Sequence, residues 1–400
     1  MRPKPLPDAL TSRWDVALAL SLATAVSLGL ARFSYALLLP LMRADLGWSY
    51  LTAGAMNTAN AAGYLLGALL APVWLRRFDP RRVMLAGGAA SGLLLAAHAA
   101  VRADEALYLL RALTGLSSAA TFVGGGVLAA RLASRPGLSP GLVLGTYYGG
   151  VGAGIIVSAL LVPGMAAAVP APAWPWAWLA LGACALAATA LMASGTARLG
   201  GAEMDASSAA ASFAWRPMAF GLGSYFLFGM GYIGYMTFVV SLLRERQVSA
   251  AAITVFYALL GLGVLASSWL WAGLLQRHRG GQVMLRLNAL LVVATLLPVA
   301  SASLAAVMAS GLLFGCVFLS VVASTTALVR HNLPPAAWSR GIGAFTVVFA
   351  AGQIVGPTGV GWLSDGPGGL TRGLAVSAAV HALAAAVAWG QRPLLTAPGR

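Results

Sequence analysis

Residues 16–41 read VALALSLATAVSLGLARFSYALLLPL, and the only charged side chain in this run is that of Arg32. A helix needs about 20 consecutive apolar residues to cross the hydrocarbon core of a membrane. The run is too long for the apolar part of a secretory signal peptide, and it has no small-residue cleavage site near its end. It therefore predicts a first membrane span that is retained in the protein.

Stretches of the same kind follow along the whole chain of 400 residues. The predicted spans are 16–41, 50–75, 83–101, 106–130, 142–163, 175–195, 217–243, 250–275, 282–301, 303–329, 341–363 and 373–391. The chain is 60% hydrophobic and 9% charged, whereas a soluble domain carries about 25% charged residues. A soluble fold is excluded, because its surface needs polar side chains. We predict an all-α integral membrane protein with 12 transmembrane helices.

The chain repeats itself at an offset of 200 residues. Arg77 and the triplet 83–85 (VML) recur as Arg277 and 283–285. Apolar matches alone would be frequent in this composition, so the matching charged positions are the better indication of an internal duplication. Two six-helix halves related by a parallel repeat are expected.

The longest polar stretch lies at the middle of the chain, where a connection between the two halves is expected. We predict an N-terminal six-helix half at 1–195, a cytoplasmic central linker at 196–216 and a C-terminal six-helix half at 217–400. The connections are short, so we expect no inserted soluble domain.

The basic residues predict the orientation of the protein. With both termini inside, 18 of the 25 Lys and Arg lie on the cytoplasmic side and 5 lie outside, and the other two, Arg32 and Arg111, lie within spans. Short cytoplasmic loops are enriched in Lys and Arg. We therefore expect a multi-pass protein of a bacterial inner membrane with both termini in the cytoplasm. The net charge of +15 is explained by this distribution and does not indicate nucleic-acid binding.

Several classes of chemistry lack their sequence patterns here. The two cysteines, Cys184 and Cys316, stand alone inside apolar stretches, which argues against a disulfide framework or a cysteine metal site. Neither a glycine-rich phosphate loop nor a zinc-protease or serine-hydrolase motif is present. We expect no enzyme activity, no catalytic residues, no cofactor and no metal.

Local motifs carry a resemblance to a known family. The loop 76–82 (RRFDPRR) resembles motif A of the major facilitator superfamily, although the Asp-Arg-x-Gly core of that motif is missing, and 111–115 (RALTG) resembles motif B. The segments 29–35 (GLARFSY) and 63–67 (GYLLG) are similar to the YbfB/YjiJ-type branch of that superfamily. The resemblance implies two rocking six-helix halves that expose a solute site alternately to the two sides of the membrane.

Arg32 lies deep in the first span, and all ten acidic residues lie in loops or near span ends. A buried guanidinium is costly and is usually kept for a pathway or a partner. Without a deep protein counter-ion, an anionic substrate group is the favoured partner. The alternative is that Arg32 extends toward the outer surface or binds backbone carbonyls of a neighbouring helix.

Arg111 lies nearer the outer start of span 4. It would add a second positive charge to a central cavity if it faced that cavity. A structural pairing with Asp104 or Glu105, or with helix carbonyls, is equally compatible with its position.

Other polar residues fall at helical spacing in the spans expected to line the cavity. Their hydrogen-bonding groups and rings suit a substrate site, although such stripes also pack helices together. The predicted substrate-binding residues are Arg32, Tyr35, Asn57, Asn60, Arg111, Tyr232, Tyr235, Tyr257 and Gln353.

Two further sets of residues are expected to act in gating and in helix packing. The cytoplasmic loops are expected to set an inward gate through Arg76, Arg77, Asp79, Arg81, Arg82 and Arg277. Small residues let helices approach closely, and a packing seam between the halves is predicted at Gly145, Gly149, Gly150, Gly154, Gly352, Gly356 and Gly359.

The favoured function is secondary active transport of a small organic anion by alternating access, by a monomer embedded in the lipid bilayer. The alternatives are an efflux pump for drugs or metabolites and, from a different class, a transporter-like membrane sensor. The aromatic stripe of span 7 would suit lipophilic drugs, but an acid-free cavity with an arginine would not suit cations. The short exposed tails argue against a sensor.

Overall fold

The computed structural model describes residues 8–197 and 213–394. Within these ranges it contains 12 helices that are long and apolar enough to cross a membrane, and no strand. They are α1 (Arg13–Leu46), α2 (Tyr50–Arg77), α3 (Pro80–Ala100), α4 (Asp104–Ala133), α5 (Pro140–Ala168), α6 (Trp174–Gly195), α7 (Arg216–Glu245), α8 (Ala250–Arg277), α9 (Gln282–Ala300), α10 (Leu304–Asn332), α11 (Arg340–Ser364) and α12 (Gly369–Trp389). The central part of the predicted linker, 198–212, lies outside the described residues.

The 12 predicted spans are confirmed, and each overlaps one of these helices. Many helices extend past the predicted ends because polar residues cap them outside the apolar run. The side chain of Ser49 accepts a hydrogen bond from the backbone N–H of Thr52 at 3.0 Å, and that of Asp79 accepts one from Arg81 at 2.8 Å. Such caps satisfy N–H groups that have no partner within the helix.

Helices joined by short connections alternate in direction, and the hydrogen bond from Tyr50 to Glu245 places the end of α7 beside the start of α2. The described chain therefore begins and ends at the same end of the bundle. We call this the terminal end and the opposite one the distal end. Exposed tryptophans lie near both ends: Trp215 and Trp389 near the terminal end, and Trp176 and Trp362 near the distal end. Tryptophan is enriched where the hydrocarbon meets the headgroups, so these side chains mark the two faces of the membrane.

The first span is not a uniform α-helix. α-Helical turns lead into it, but Ala25–Phe33 is π-helical, and α-helix resumes from Tyr35 to Leu46. The backbone N–H of Ser34 donates to the carbonyl of Gly29 at 3.2 Å, one residue further back than in an α-helix. This change of winding places Arg32 in the middle of the span, at a point where the helix is locally widened.

The helices pack in a pattern that joins the first six spans to the last six along three pairs. α2 packs against α11, α5 packs against α8, and the α-helical part of α1 from Tyr35 to Leu46 packs against α7. That part of α1 is its distal portion. The terminal portion of α1 packs against α4, α5 and α6.

The predicted glycine seam is only partly correct. Gly145 and Gly149 of α5 do face α8. Gly150 and Gly154 face α1 instead, within the first six spans, and a Cβ on Gly154 would lie 2.8 Å from the Cα of Gly29. In α11, Gly352 and Gly356 face α7, and Gly359 faces open space. The prediction failed for these positions because helical spacing shows which residues share a face but not which helix covers it.

Candidate functional site

Arg32 is at the centre of a hydrogen-bonded group that joins three helices. One of its terminal nitrogens, Nη2, donates to Oε1 of Gln353 in α11 at 2.7 Å. Nε2 of Gln353 in turn donates to the hydroxyl of Tyr232 in α7 at 2.5 Å. Tyr232 occupies the position that the repeat relates to Arg32. The structure thus brings together three of the predicted site residues, which we call the Arg32 cluster: Arg32, Tyr232 and Gln353.

The Arg32 cluster has more hydrogen-bond donors than acceptors. A guanidinium carries five N–H groups, and Gln353 supplies the one acceptor that Arg32 has among the described residues. Its Nε is buried without a partner there, and 4% of the residue is exposed. The Tyr232 oxygen accepts from Gln353, so its own proton is left to donate, and the described residues offer it no acceptor. This arrangement is suited to receiving a group rich in acceptors.

No carboxylate neutralises the Arg32 cluster within the described part of the chain. The Arg32 guanidinium makes a cation–π contact with Tyr64 of α2, and its carbon lies 5.5 Å from the centroid of that ring. The acids of the distal end have other partners: Asp45 binds Arg102, and Asp104 accepts from the indole of Trp48 at 2.7 Å. Arg32 does not extend to the surface, and its partner is an amide from the other six spans.

Arg111 is buried beside the Arg32 cluster but is bonded to the protein. Nη1 donates to the carbonyl of Ala31 at 3.2 Å, and Nη2 donates to Oδ1 of Asn57 at 3.3 Å. The guanidinium carbon also lies 4.6 Å from the ring centroid of Tyr35. Of the roles left open by the sequence, the geometry matches binding to helix carbonyls, with Asn57 as an additional acceptor.

The amides of α2 hold helices together. Nδ2 of Asn57 donates to the hydroxyl of Thr237 in α7 at 2.7 Å, which links the first six spans to the last six. Nδ2 of Asn60 donates to the carbonyl of Arg111 at 3.1 Å, and the Tyr35 hydroxyl donates to the carbonyl of Ala53 at 2.8 Å.

Two of the predicted tyrosines are hydrogen-bonded, within the described residues, to neither the Arg32 cluster nor Arg111. The Tyr235 hydroxyl is paired with Ser310 of α10 at 2.5 Å, and its ring stacks on Phe314. The Tyr257 hydroxyl of α8 donates to the carbonyl of Phe33 at 2.6 Å, at the end of the π-helical segment. Tyr257 therefore provides a second hydrogen bond between α1 and the last six spans.

The residues predicted to form an inward gate lie at the terminal end. Arg76, Arg77, Arg82 and Arg277 are exposed. Nη2 of Arg81 donates to the carbonyl of Ala193 at 2.6 Å, a contact within the first six spans. Asp79 caps α3, as described above. Their role in gating stays a prediction.

A group of residues at the distal end, which the sequence analysis did not identify, joins the two sets of spans. The carboxylate of Asp365, after α11, accepts the backbone N–H groups of Tyr50 and Leu51 at 2.7 and 2.8 Å, at the start of α2. The Tyr50 hydroxyl donates to the carboxylate of Glu245, and the guanidinium of Arg43 lies 3.8 Å from the Tyr50 ring centroid. We call Arg43, Tyr50, Glu245 and Asp365 the distal lock.

A cavity of about 240 Å³ adjoins the distal lock. It lies between the distal parts of α1 and α7 and is lined by Pro40, Arg43, Ala44, Tyr50, Ser241, Arg244 and Glu245. In the sequence, the distal lock was indicated only by the acidic residues at the distal span ends.

α5 and α8 stay in contact toward the terminal end, where a Cβ on Gly145 would lie 3.5 Å from the Cβ of Ser268, but in the described part of the chain hydrogen bonds between the two sets of spans are confined to the distal part. Within the described residues, the hydrogen bonds between them run from Arg32 to the distal lock, and none joins them nearer the terminal end. Tyr148 and Ile155 lie two turns apart on one face of α5; Ile155 is fully buried, whereas Tyr148 is 42% exposed. The Tyr148 side chain is therefore accessible on the terminal side of Arg32, and we call the space between it and Arg32 the vestibule.

A family model described as "Uncharacterised MFS-type transporter YbfB" matches residues 24–389. The chain belongs to this family of major facilitator transporters. A comparison of the sequence with curated proteins found no match.

Solved structures of other transporters share the fold of this major facilitator. The nucleoside transporter NupG has a TM-score of 0.70 at 15% identity, with 94% of this chain and 97% of that chain covered. A bacterial homologue of the human lysosomal transporter Spinster, in an inward-facing and unoccupied conformation, has a TM-score of 0.73 at 14% identity, with 94% and 96% covered.

This major facilitator is a multi-pass membrane transporter by family. Within the described residues, no three His, Cys, Asp or Glu side chains converge as metal ligands. The Arg32 cluster can hold an acceptor-rich group by hydrogen bonds and charge.

Proposed function

We propose that this protein is a secondary transporter that carries a small organic anion by alternating access, and that Arg32 is the group that binds the anion. The excess of donors in the Arg32 cluster supports this proposal: a buried cation whose Nε has no partner stands beside a tyrosine with a free proton. An isolated buried charge is costly, so a substrate anion would stabilise the site. A carboxylate accepts from a guanidinium and a phenol at once.

The orientation that we propose places the terminal end in the cytoplasm, as the distribution of Lys and Arg predicts. The vestibule would then open to the cytoplasm, and the distal lock would close the site from the outside. Substrate would bind or leave through the vestibule in this conformation.

The test is thermal stabilisation of the purified protein by panels of organic anions, organic cations and neutral solutes. A ligand that binds the native state raises the melting temperature as its concentration exceeds Kd. We expect a rise with anions that is lost in Arg32→Gln and retained in Arg372→Gln, a matched change of an exposed arginine at the distal end.

Flux into proteoliposomes then tests transport. Uptake of the stabilising anion by the wild type, with at least a tenfold loss in Arg32→Gln, is expected. Stabilisation confined to lipophilic cations would indicate drug efflux, and binding without flux would indicate a sensor; either result would overturn the proposal.

A further inference from the structure

Aromatic side chains of α2, α4 and α5 line one side of the vestibule, on the terminal side of Arg32. The ring centroids of Tyr64 and Phe122 lie 6.3 Å apart, and those of Phe122 and Tyr148 lie 6.1 Å apart. Tyr64 is also the ring that lies 5.5 Å from the Arg32 guanidinium carbon. This row of rings therefore leads from the opening of the vestibule to the cation.

A second aromatic row lies in α7 and α11. The Phe349 ring is nearly parallel to those of Tyr225, Phe228 and Tyr232, at centroid distances of 4.6, 5.6 and 5.6 Å. Phe349 precedes Gln353 by four residues in α11, so the two side chains lie on the same face, one turn apart. The second row therefore ends at the Arg32 cluster as well.

The accessibility of these rings distinguishes them from core aromatics. Tyr148 is 42% exposed, and Tyr64, Phe122 and Phe349 are partly exposed. The hydroxyls of Tyr64 and Tyr148 have no hydrogen-bond partner among the described residues, whereas that of the buried neighbour Tyr147 donates to the carbonyl of Phe122 at 2.5 Å. A phenol that is neither paired nor enclosed is suited to a wet or ligand-filled space.

We infer that the transported anion has a planar aromatic body: an aryl carboxylate whose carboxylate binds Arg32 and Tyr232 and whose ring lies between Tyr64 and Phe349. The inference rests on the proposed function, because it uses the same cation. Aromatic pairs at centroid distances of 4.5–7 Å gain more than their burial alone provides. The ring faces on either side of the vestibule would select a flat apolar body, and Arg32 would select the charged end.

The experiment compares benzoate, 2-naphthoate and cyclohexanecarboxylate on the purified full-length protein, with Kd obtained from melting temperature against ligand concentration. The three share one head group, and cyclohexanecarboxylate has a saturated ring of similar size to benzene. We expect benzoate to bind about tenfold more tightly than cyclohexanecarboxylate, and 2-naphthoate to bind at least as tightly as benzoate. 2-Naphthalenemethanol, which lacks the charge, should not bind.

Variants test the two aromatic rows separately. Tyr64→Leu and Phe349→Leu should each reduce the preference for benzoate over cyclohexanecarboxylate severalfold, while Tyr64→Phe should retain it. Phe220→Leu is the matched control, because Phe220 lies in α7 near the terminal end, is 55% exposed and packs beside Gly390. Tyr64→Phe keeps the ring, so it remains informative even if a leucine variant fails to fold.

The outcomes separate this inference from the proposed function. Equal binding of benzoate and cyclohexanecarboxylate, with both lost in Arg32→Gln, would overturn the aromatic inference and leave the anion transporter standing. A benzoate preference that survives both leucine variants would also overturn the inference. If no organic anion binds at millimolar concentration, both proposals fail.

Discussion

Arg32 and Arg111 are both arginines buried in the membrane, but their hydrogen bonds differ. Arg111 is held by the carbonyl of Ala31, the amide of Asn57 and the ring of Tyr35. Within the described residues, Nε of both arginines is buried without a partner, but the terminal nitrogens of Arg32 have one acceptor, whereas those of Arg111 have two. We therefore assign Arg111 a structural role and Arg32 a binding role, a distinction that depends on counting partners and not on burial.

The first prediction concerns the acceptor of Arg111. Asn57→Leu removes that acceptor and also breaks the link to Thr237, so it should destabilise the protein by about 2–3 kcal/mol, as expected for a lost hydrogen bond to a charged group. Thr237→Val removes the link alone and should cost about 1 kcal/mol. Chemical or thermal unfolding in detergent measures both changes. Equal losses in the two variants would show that the bond to Arg111 contributes nothing.

For the residues around Arg32, the sequence predicted only those features that depend on composition. The absence of a deep acid followed directly from reading the chain, and it pointed to Arg32. The pairing with Gln353 did not follow, because 321 residues separate the two and no local pattern shows which face of α11 meets α1. For the same reason, Phe122, Tyr148 and Phe349 were not recognised as vestibule residues.

Among the helices, α1 and α5 approach each other closely in the middle of the first six spans. A Cβ on Gly154 would lie 2.5 Å from the carbonyl oxygen of Ala25 and 2.8 Å from the Cα of Gly29. Both atoms belong to the π-helical segment of α1. This crossing holds the segment that carries Arg32 against α5.

The second prediction tests this crossing. Gly154→Ala should lower the stability by about 1–3 kcal/mol, because the added methyl group forces two backbones apart. Gly164→Ala is the matched control in the same helix: nothing lies within 4 Å of its Cβ position, and alanine is the better helix former. Melting curves of the two variants provide the comparison. A Gly154→Ala protein that melts no lower than the control would contradict the close approach.

At the scale of elements, hydropathy was sufficient to predict all 12 spans. The π-helical segment was not predictable, because α- and π-helical windings differ by one residue per turn and nearly every residue of Ala25–Phe33 is apolar. The ends of helices were underestimated where a cap such as Asp79 adds polar residues to the first turn.

In the molecule as a whole, hydrogen bonds between the two sets of spans are concentrated from Arg32 to the distal lock. Asp365 is central to the lock, because its carboxylate accepts two N–H groups at the start of α2. An anionic acceptor at a helix N-terminus is favoured both by its charge and by the helix dipole. The lock therefore stabilises the conformation in which the distal side is closed.

The third prediction is that Asp365→Asn weakens this conformation. Ser241 lines the distal cavity and is 4% exposed, so a Ser241→Cys thiol should react slowly with a membrane-impermeant maleimide when Cys184 and Cys316 are replaced by alanine. Asp365→Asn should speed the reaction about tenfold, corresponding to about 1.4 kcal/mol.

Asp104→Asn is the control, since Asp104 is a distal acid bonded to Trp48 within the first six spans. It should leave the rate unchanged. Identical rates in the Asp365 and Asp104 variants would exclude the lock as a determinant of closure.

The overall architecture was predictable from the sequence, because hydropathy, the repeat at 200 residues and the motif loops agree with each other. The conformation, in which the distal side is closed, was not predictable from the sequence. The sequence placed gating residues at the terminal end, at positions such as Arg77 and Arg277, and gave no indication that Tyr50 meets both Glu245 and Asp365. Such contacts depend on how the two sets of spans are tilted, which no single span encodes.

Within the described residues no acid neutralises Arg32, and this has an electrical consequence. A guanidinium stays protonated in proteins, so Arg32 gives the empty carrier a positive charge inside the membrane that a bound monovalent anion would neutralise, while the charge of Arg111 stays in both states. A voltage of 100 mV acts on one full charge with about 2.3 kcal/mol. The empty carrier would then hold one more positive charge than the loaded one, so its return step would depend more strongly on membrane voltage than the loaded crossing does.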